Sequence, residues 1–365
     1  MKILYGVQGT GNGHISRARM MARHLGSLGV DVAWLFSGRP RENYFDMDIF
    51  GDFLCRRGLT FSYSNGRVSY LDTLRSNRFR EFIADIRHLE VDDYDLVLTD
   101  YEPITAWAAR LKRKTVIGVG HQYAFLHPVP MEGDNRVSRW LLRHFAPANI
   151  SFGLHWSHFG HDILPPIVDP DLVHSQAPES GQNKVLVYLP FENQPSVTAM
   201  LKQIPGHDFF QYAPALSDAR DGNVNLRKTC HSGFRQDLCS ASAVICNAGF
   251  ELVSECLHMG LPVLVKPLQQ QTEQLSNARA LETLGLARRI DSLAAEPVRN
   301  WLQGNPSQHA RRQNYPDVAK AISHWIVAGD YSTPAALSRS LWPEQPATGI
   351  PRGSASGTRR QLLPD

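Results

Sequence analysis

His14 stands where a histidine could act as a general base. It follows the glycine-rich loop 9–13, which lies between an apolar run at 3–7 and a helical pattern that begins near Ile15. Such a loop presents backbone amides and the positive end of a helix dipole to a polar or anionic ligand. A neutral imidazole at that point can accept a hydroxyl proton near neutral pH, or it can simply hydrogen-bond to the helix start.

Asp100 is a carboxylate that the sequence places at the same edge of the fold. It follows the apolar run 96–99, and the carboxyl ends of parallel strands meet at one edge of a sheet. There it could orient His14 and stabilise the imidazolium. Asp100 or the neighbouring Glu102 could instead cap a helix that begins near Ile104, and the two roles are compatible.

The turn Asn247-Ala248-Gly249 in the second half could bind a diphosphate. An apolar run at 244–246 precedes it and a helical pattern from Phe250 follows, so the turn exposes the free amides of a new helix. Glu255 lies about one and a half turns beyond Gly249. Its carboxylate could accept hydrogen bonds from both hydroxyls of a ribose.

The chain as a whole resembles the MurG-like and UDP-glycosyltransferase groups of inverting GT-B enzymes. The resemblance depends on the order of four blocks: the glycine-rich loop with its terminal histidine, 247–255 (NAGFELVSE), 260–267 (GLPVLVKP) and 273–278 (EQLSNA). It covers roughly residues 1–327 and implies the α/β class and the GT-B fold, with two Rossmann-like domains whose parallel sheets face an interdomain cleft.

The resemblance implies a role for each matching residue. His14 is expected to be the catalytic base, with Asp100 as its orienting carboxylate. Glu255 is expected to bind the ribose, and Glu273 with Gln274 the donor sugar, while the nucleobase should lie near 231–235. The full set of expected donor-binding residues is Gly11, Gly13, Phe234, Asn247, Ala248, Gly249, Phe250, Glu255, Glu273 and Gln274. Acceptor contacts are expected from Asn12, Glu102 and His121.

Two departures from the family pattern concern the phosphates. Segment 188–193 (YLPFEN) stands where MurG-like proteins carry a second glycine-rich loop. Asn247 replaces the histidine, serine or threonine that is usual in the turn. We therefore expect the phosphate contacts of this chain to differ from those of its relatives.

The composition excludes several other classes. The formal net charge of +3, from 38 basic and 35 acidic residues, is too balanced for a protein that binds duplex nucleic acid. The dinucleotide fingerprint would need a glycine at the position of His14 and an acidic residue near Ser37, which disfavours a nicotinamide cofactor. The five cysteines are odd in number, form no C-x-x-C pair, and are interpreted as reduced thiols.

A metal site and membrane contact are the remaining possibilities. His155, His158 and His161 have a spacing that could suggest metal ligation on a helix, but the nearby glycine and prolines argue against a helix. We expect no metal and no cofactor. Segment 39–57 mixes basic and apolar side chains, so it could line an acceptor site, rest on an anionic membrane, or form a surface helix with one buried face.

The alternation of apolar runs and helical patterns predicts the domain organisation. We expect an acceptor-binding domain at 1–165, a linker at 166–183, a nucleotide-sugar-binding domain at 184–327, and an extension at 328–365 that is disordered from about residue 343. No apolar run approaches the roughly 18 to 20 residues that span a bilayer. A cytoplasmic protein, in peripheral contact with the membrane at most, is the expectation.

The predicted activity is transfer of a hexose or N-acetylhexosamine, with inversion, from a UDP-linked donor to a hydroxyl of a lipid, glycan or small molecule. A UDP-sugar 2-epimerase shares this architecture but normally carries several acidic residues around the sugar, where this chain has His14. A nucleotide-sugar-binding protein without catalysis is the second alternative.

Overall fold

The computed structural model describes residues 1–60, 62–64, 67–69, 77–172, 183–308 and 310–342. Within these ranges, two mainly parallel sheets, each flanked by helices, form two α/β domains. This agrees with the predicted class, and the two domains meet along one cleft.

A six-stranded parallel sheet forms the N-terminal domain in the described part of the chain, with strand order β3-β2-β1-β6-β7-β8. Its strands are short and nearly all buried, as expected for a parallel sheet covered on both faces. The strands of this half, including a separate β4–β5 hairpin, are β1 (Lys2–Gln8), β2 (Asp31–Ser37), β3 (Phe53–Arg56), β4 (Ser62–Ser64), β5 (Arg67–Ser69), β6 (Leu96–Asp100), β7 (Val116–Gly120) and β8 (Ile150–Gly153).

The helices of this half pack an apolar stripe on the sheet. In the first helix, Ile15, Ala18, Met21 and Leu25 share one buried face, which is the pattern expected of an amphipathic helix. The α-helices are α1 (Asn12–Ser27), α2 (Phe79–His88), α3 (Pro103–Leu111) and α4 (Arg136–His144), and short 3₁₀ helices lie at Arg41–Asn43, Asp48–Phe50 and His121–Leu126.

The second domain is built around a seven-stranded sheet of the described residues, in the order β11-β12-β10-β9-β13-β14-β15, parallel except for the β11–β12 pair. Its strands are β9 (Lys184–Tyr188), β10 (Asp208–Ala213), β11 (Ala219–Asp221), β12 (Val224–Lys228), β13 (Ala243–Asn247), β14 (Val263–Lys266) and β15 (Arg288–Arg289). Its helices are α5 (Gln194–Leu201), α6 (His231–Cys239), α7 (Phe250–Met259), α8 (Thr272–Leu284) and α9 (Ala295–Gln303), with a 3₁₀ turn at Pro306–Gln308.

The C-terminal helices α10 (Val318–Ala328) and α11 (Pro334–Leu341) return to the first domain. Trp325 meets Phe152 of β8 edge to face at 4.9 Å, and Asp317 lies 3.1 Å from His24 of α1. Ser338 donates a hydrogen bond to the carbonyl of Ile163. Helix α10, which includes the predicted domain boundary at residue 327, thus packs on the N-terminal domain. The tail predicted to be disordered lies outside the described residues.

Segment 39–57 is not the surface helix that its pattern suggested as one alternative. It forms two 3₁₀ turns followed by β3, because its aromatic residues pack into the N-terminal core. Phe50 and Phe53 are buried there, and both rings lie edge to face with Phe36, at 4.8 and 5.2 Å. The first residue of the segment, Arg39, points the other way and lines the interdomain cleft.

Candidate active site

His14 and Asp100 lie together at the cleft edge of the first sheet. Asp100 ends β6, in register with Val7 of β1, so it faces the loop that leads into α1. Nδ1 of His14 is 2.8 Å from Oδ1 of Asp100, which is fully buried, whereas the His14 side chain is 13% exposed. Nη2 of Arg17 also lies 2.9 Å from this Nδ1. In the tautomer that directs an Nδ1 proton at the carboxylate, Nε2 on the opposite side of the ring is left to accept a proton.

Arg17 completes this pair from the next turn of α1, and sequence reasoning missed it. Its Nε donates to Oδ2 of Asp100 at 2.9 Å and its Nη2 to Oδ1 at 2.6 Å. Burial alone would raise the pKa of Asp100, but the charges of Arg17 and His14 and their hydrogen bonds outweigh it and lower that pKa. A signal was present in the sequence: an arginine three residues after His14, among the apolar residues of α1.

Glu251 links this group to the second domain. It pairs with Nη1 of Arg17, and its carboxylate occupies the space that a Cβ on Gly13 would need. Glu251 lies in the first turn of α7, where a negative charge is favourable to the helix dipole. We refer to His14, Arg17, Asp100 and Glu251 as the His14 cluster.

Glu102 caps α3 and does not face the cleft. It is fully buried, and its carboxylate accepts hydrogen bonds from the amides of Ile104 at 2.9 Å and Thr105 at 2.7 Å and from the hydroxyl of Ser37 at 2.7 Å. The structure thus supports the capping interpretation. Because Glu102 is fully buried, the acceptor contact expected of it has no support in the structure and stays a prediction.

The predicted diphosphate turn has the expected shape. Gly249 is the N-cap of α7 with no side-chain cap, so the first amides of this helix are not used by a capping side chain. Asn247 donates to the carbonyl of Lys266 at 3.0 Å, and its Oδ1 has no partner among the described residues. Ala248 is fully buried, and its carbonyl accepts a hydrogen bond from Asn277 at 2.9 Å.

Phe250 and His121 form a packed contact between the domains. Their rings stack 3.9 Å apart at 5°, and both side chains are buried. His121 Nδ1 lies 2.7 Å from the carbonyl of Leu154, and its Nε2 lies 2.6 Å from Oδ1 of Asn277. The side chains of Phe250 and His121 therefore lie at the domain contact, and the donor and acceptor contacts expected of these two residues stay predictions.

Glu273 and Gln274 are placed differently from each other. Glu273 is partly exposed and accepts a hydrogen bond from Gln122 of the first domain at 3.2 Å, so it faces the other domain. Gln274 is buried, and its Oε1 accepts a hydrogen bond from the amide of Leu268 at 3.0 Å. Of the pair expected to bind the donor sugar, Glu273 is the more accessible.

A cleft opens between α1 and Arg39 on one side and α6 and α7 on the other. Of the predicted site residues it is lined by Asn12, Gly13, Phe234 and Glu255. Gly11, the N-cap of α1, does not line it but has open space around its Cα.

Glu255 has an altered environment within this cleft. Burial raises its pKa to about 7, while the nearby charge of Arg235 acts in the opposite direction.

Tyr188 also lines the cleft, where a second glycine-rich loop stands in relatives. Its hydroxyl accepts a hydrogen bond from Asn12 at 3.4 Å and its ring packs edge to face on Phe234 at 5.2 Å.

The three spaced histidines have separate neighbours. His155 is buried and accepts a hydrogen bond from the amide of Trp156 at 2.8 Å, His158 accepts one from Gly160 at 2.9 Å, and His161 stacks on His127 at 5.5 Å. Within the described residues, no group of three histidine, cysteine, aspartate or glutamate side chains is arranged to hold a metal ion.

Comparison with known proteins identifies the family. Residues 1–306 match the family described as glycosyl transferase family 1. A comparison with curated protein sequences gives no significant match.

Solved structures similar to this chain have the GT-B fold. The MurG of Acinetobacter baumannii matches with a TM-score of 0.55 at 15% identity, over 90% of this chain and 99% of that one. The calicheamicin glycosyltransferase CalG4 matches with 0.57 at 15%, over 94% and 99%. The Streptomyces sp. SF2575 glycosyltransferase SsfS6, solved with thymidine diphosphate, matches with 0.56 at 14%, over 93% and 99%.

The fold predicted from the sequence is thereby confirmed, as is the resemblance to the MurG-like and UDP-glycosyltransferase superfamily. The match over 1–306 includes the His14 loop, Asp100 and the whole 247–278 region. The chain therefore belongs to glycosyl transferase family 1 and is a nucleotide-sugar glycosyltransferase with the GT-B fold.

Proposed function

We propose that the enzyme transfers a hexose or N-acetylhexosamine from a UDP-linked donor to an acceptor hydroxyl, with inversion and with His14 as the base. The observation that carries this proposal is the His14–Asp100 pair, 2.8 Å apart, beside the interdomain cleft that Glu255 lines. The base and the ribose-binding carboxylate thus belong to opposite domains, as transfer between a donor and an acceptor requires.

In the proposed step the acceptor hydroxyl donates its hydrogen to Nε2 of His14. Its oxygen attacks the anomeric carbon as the bond from that carbon to the diphosphate oxygen breaks. The bonding electrons leave with the diphosphate, and the proton remains on His14. Attack opposite the leaving group inverts the anomeric configuration.

The charges of the His14 cluster favour this proton transfer. With neutral His14, the formal charges of Arg17, Asp100 and Glu251 sum to −1. The proton on His14 brings the cluster to zero. Because Asp100 and Arg17 are almost completely buried, this balance acts with little screening by water.

We propose that the donor diphosphate lies at the amino end of α7, beyond Gly249, where free amides and the helix dipole take its charge without a metal ion. Glu255 would accept hydrogen bonds from the ribose, and Phe234 would contact the nucleobase. SsfS6, the similar glycosyltransferase solved with thymidine diphosphate, supports a nucleoside diphosphate as ligand but does not decide the base.

The test is a panel of UDP-, GDP- and dTDP-sugars, scored by thermal unfolding and isothermal titration. We expect the UDP-sugars to raise the unfolding midpoint, because a ligand bound only by the folded state stabilises it. NMR of the product formed with a suitable acceptor then reports inversion or retention. If no sugar nucleotide in the panel binds, the proposal is rejected. Conversion of UDP-N-acetylglucosamine without an acceptor would instead identify the epimerase alternative.

We further propose a cytoplasmic enzyme in peripheral contact with a membrane. Among the described residues, no helix is both long and apolar enough to cross a bilayer. Helix α4 exposes Val137, Trp140 and Leu141, by 67, 60 and 38%, next to three arginines of the same helix. That combination suits an anionic lipid surface. Failure to sediment with phosphatidylserine vesicles would refute the membrane contact, and cell fractionation tests the location.

A further inference from the structure

Arg39 is a partly buried cation that has no anionic partner among the described residues. Its Nε and Nη2 atoms are inaccessible to solvent and make no hydrogen bond to the described residues, and no carboxylate among those residues lies within ion-pair distance. Nη1 donates to Oδ1 of Asn12 at 3.1 Å, and a hydrogen bond with the Tyr44 side chain partly opposes the lowering of the Arg39 pKa by burial. Buried polar groups of this kind are normally satisfied, so each exception calls for a ligand or another explanation.

The neighbours of Arg39 hold it in place without neutralising it. Its guanidinium lies 4.4 Å from the ring centroid of Tyr44, a cation–π contact. Burial raises the pKa of Tyr44, so that phenol stays neutral at physiological pH. Burial also lowers the pKa of Arg39, which shows that its charge is poorly solvated there.

The other arginines that line the cleft have partners for their guanidinium groups. Arg19 donates to the carbonyls of Phe45 at 3.1 Å and Asp46 at 2.9 Å, and Arg235 pairs with Asp169 at 2.7 Å. Glu251 pairs with Arg17. Among the arginines that line the cleft, Arg39 is therefore the one with two buried nitrogens that make no hydrogen bond to the described residues.

From this arrangement we infer that Arg39 binds the diphosphate of the nucleotide donor from across the cleft, so that both domains hold the leaving group. Arg39 lines the same cleft as Phe234 and Glu255, the proposed nucleobase and ribose contacts. Its planar fork of donors matches two phosphate oxygens, and its neighbour Asn12 belongs to the loop that precedes His14. The inference rests on the proposed function, since it takes the cleft to be the nucleotide site.

This role also accounts for the departure at 188–193. Tyr188 stands where relatives carry a glycine-rich loop, and it lines the same cleft as Arg39. A tyrosine side chain there supplies no series of backbone amides for phosphate. A guanidinium from the N-terminal domain would replace that lost contact.

The test compares Arg39→Gln with the wild type by isothermal titration, using UDP and dTDP as diphosphates and uridine and thymidine as matched nucleosides. Of UDP and dTDP, we consider the one that the wild type binds more tightly. We expect the variant to bind that diphosphate about tenfold to a hundredfold more weakly, because it loses hydrogen bonds to a charged group. Nucleoside binding should stay within about twofold. Arg41→Gln is the matched control: it changes an arginine two residues away whose side chain is 55% exposed, and it should bind all four compounds as the wild type does.

Thermal unfolding without ligand separates binding from a structural role. Removing an uncompensated buried charge should leave the unfolding midpoint unchanged or raise it, whereas loss of a structural contact would lower it. Arg39→Lys, which keeps the charge but not the fork, should fold normally and bind diphosphate with intermediate affinity.

Three results would overturn the inference. Unchanged diphosphate affinity in Arg39→Gln removes Arg39 from the donor site. The second result is an unchanged diphosphate affinity in a variant that no longer transfers sugar to phosphorylated acceptors but still transfers it to other acceptors. In that case the guanidinium binds an acceptor phosphate instead. A wild type that binds neither diphosphate refutes the proposed function itself, and the inference with it, which distinguishes the two failures.

Discussion

The His14 cluster and the nucleotide side of the cleft differ in how far the protein satisfies their polar groups. In the His14 cluster, one buried carboxylate receives Nδ1 of His14 and two nitrogens of Arg17, all within 2.9 Å. Among the groups proposed to bind the nucleotide, Oδ1 of Asn247 and two nitrogens of Arg39 have no partner among the described residues, and Glu255 lies in a site that disfavours its charge.

This difference separates two tasks. A base must be aligned before the reaction, so its supporting hydrogen bonds are built into the protein and need no rearrangement. Groups that bind a ligand must stay available, and leaving them unsatisfied costs stability until the ligand arrives. Substitutions in the His14 cluster should therefore affect rate and folding, whereas substitutions on the nucleotide side should affect binding.

The largest effect is expected for His14→Ala. Without a base to take the acceptor proton, turnover should fall by about two to four orders of magnitude. Donor affinity should change little, because Nε2 acts on the acceptor. Steady-state kinetics with the donor found in the panel, together with titration of that donor, measure both quantities.

His88→Ala is the matched control for this variant, since His88 is an exposed histidine of the same domain. It should keep full activity. If His14→Ala retains wild-type turnover, the base lies elsewhere. If it loses donor binding instead, the proposed separation between the two sides of the cleft is wrong.

The next effect is on stability, in Arg17→Met. The change leaves the buried Asp100 with fewer partners, which should lower the free energy of unfolding by about 3–5 kcal/mol at neutral pH. Asp100 has a lowered pKa in the folded state, so its ionised form stabilises the fold above the ordinary value of 3.8, and that contribution is lost as pH falls through the folded pKa. The difference in the free energy of unfolding between variant and wild type should therefore be smaller at pH 3 than at pH 7.

Urea denaturation at pH 7 and pH 3 measures this difference. Arg23→Met on the same helix is the control, because that side chain is 51% exposed and its ion pair with Asp169 is long, at 3.5 Å. Arg23→Met should lower the free energy of unfolding by less than about 1 kcal/mol. A deficit in Arg17→Met that is equal at both pH values would show that lost packing, and not the Asp100 charge, explains it.

The sequence predicted the parts of the site that follow from strand order and short motifs. Asp100 and His14 come directly after β6 and the loop beyond β1, and parallel strands bring those ends together. The turn at Gly249 was predictable for a similar reason, because a glycine between an apolar strand and a helix marks the end where free amides lie.

The missed features depend on contacts between elements distant in the chain. His121 looked like an acceptor contact because it follows β7, yet Phe250, 129 positions later in the sequence, stacks on it and excludes it from the cleft. The sequence did not predict a role for Arg17 in the site, because that role follows from its contacts with Asp100 and Glu251, which are distant in the chain. The sequence did not predict that α10 packs on the first domain, because periodicity predicts that a helix has a buried face but not which element covers that face.

The smallest effect, and the one that tests the nucleotide side directly, is the pH dependence of donor binding through Glu255. Its pKa of about 7 means that the carboxylate becomes protonated as pH falls below neutrality, and a carboxylic acid accepts hydrogen bonds from a diol less well. Affinity for the sugar nucleotide, whose diphosphate does not titrate here, should fall up to about tenfold between pH 8 and pH 6. Glu255→Gln should bind more weakly at pH 8 and show no such dependence.

The stability of the unliganded protein should change in the opposite direction. A carboxyl whose pKa is raised in the folded state contributes stability below its ordinary value of 4.5, and that contribution is lost as pH rises through about 7. Glu255→Gln should therefore be more stable than the wild type at pH 8, although it binds the donor less tightly. Glu282→Gln, at an exposed position of α8, should change neither property. If the pH dependence of affinity persists in Glu255→Gln, another group titrates, and Glu255 is not the ribose contact. If Glu255→Gln binds the donor more weakly but is not more stable, the ligand-free cleft already solvates the Glu255 carboxylate. The contrast between the His14 cluster and the nucleotide-binding groups would then depend on Arg39 and Asn247 alone.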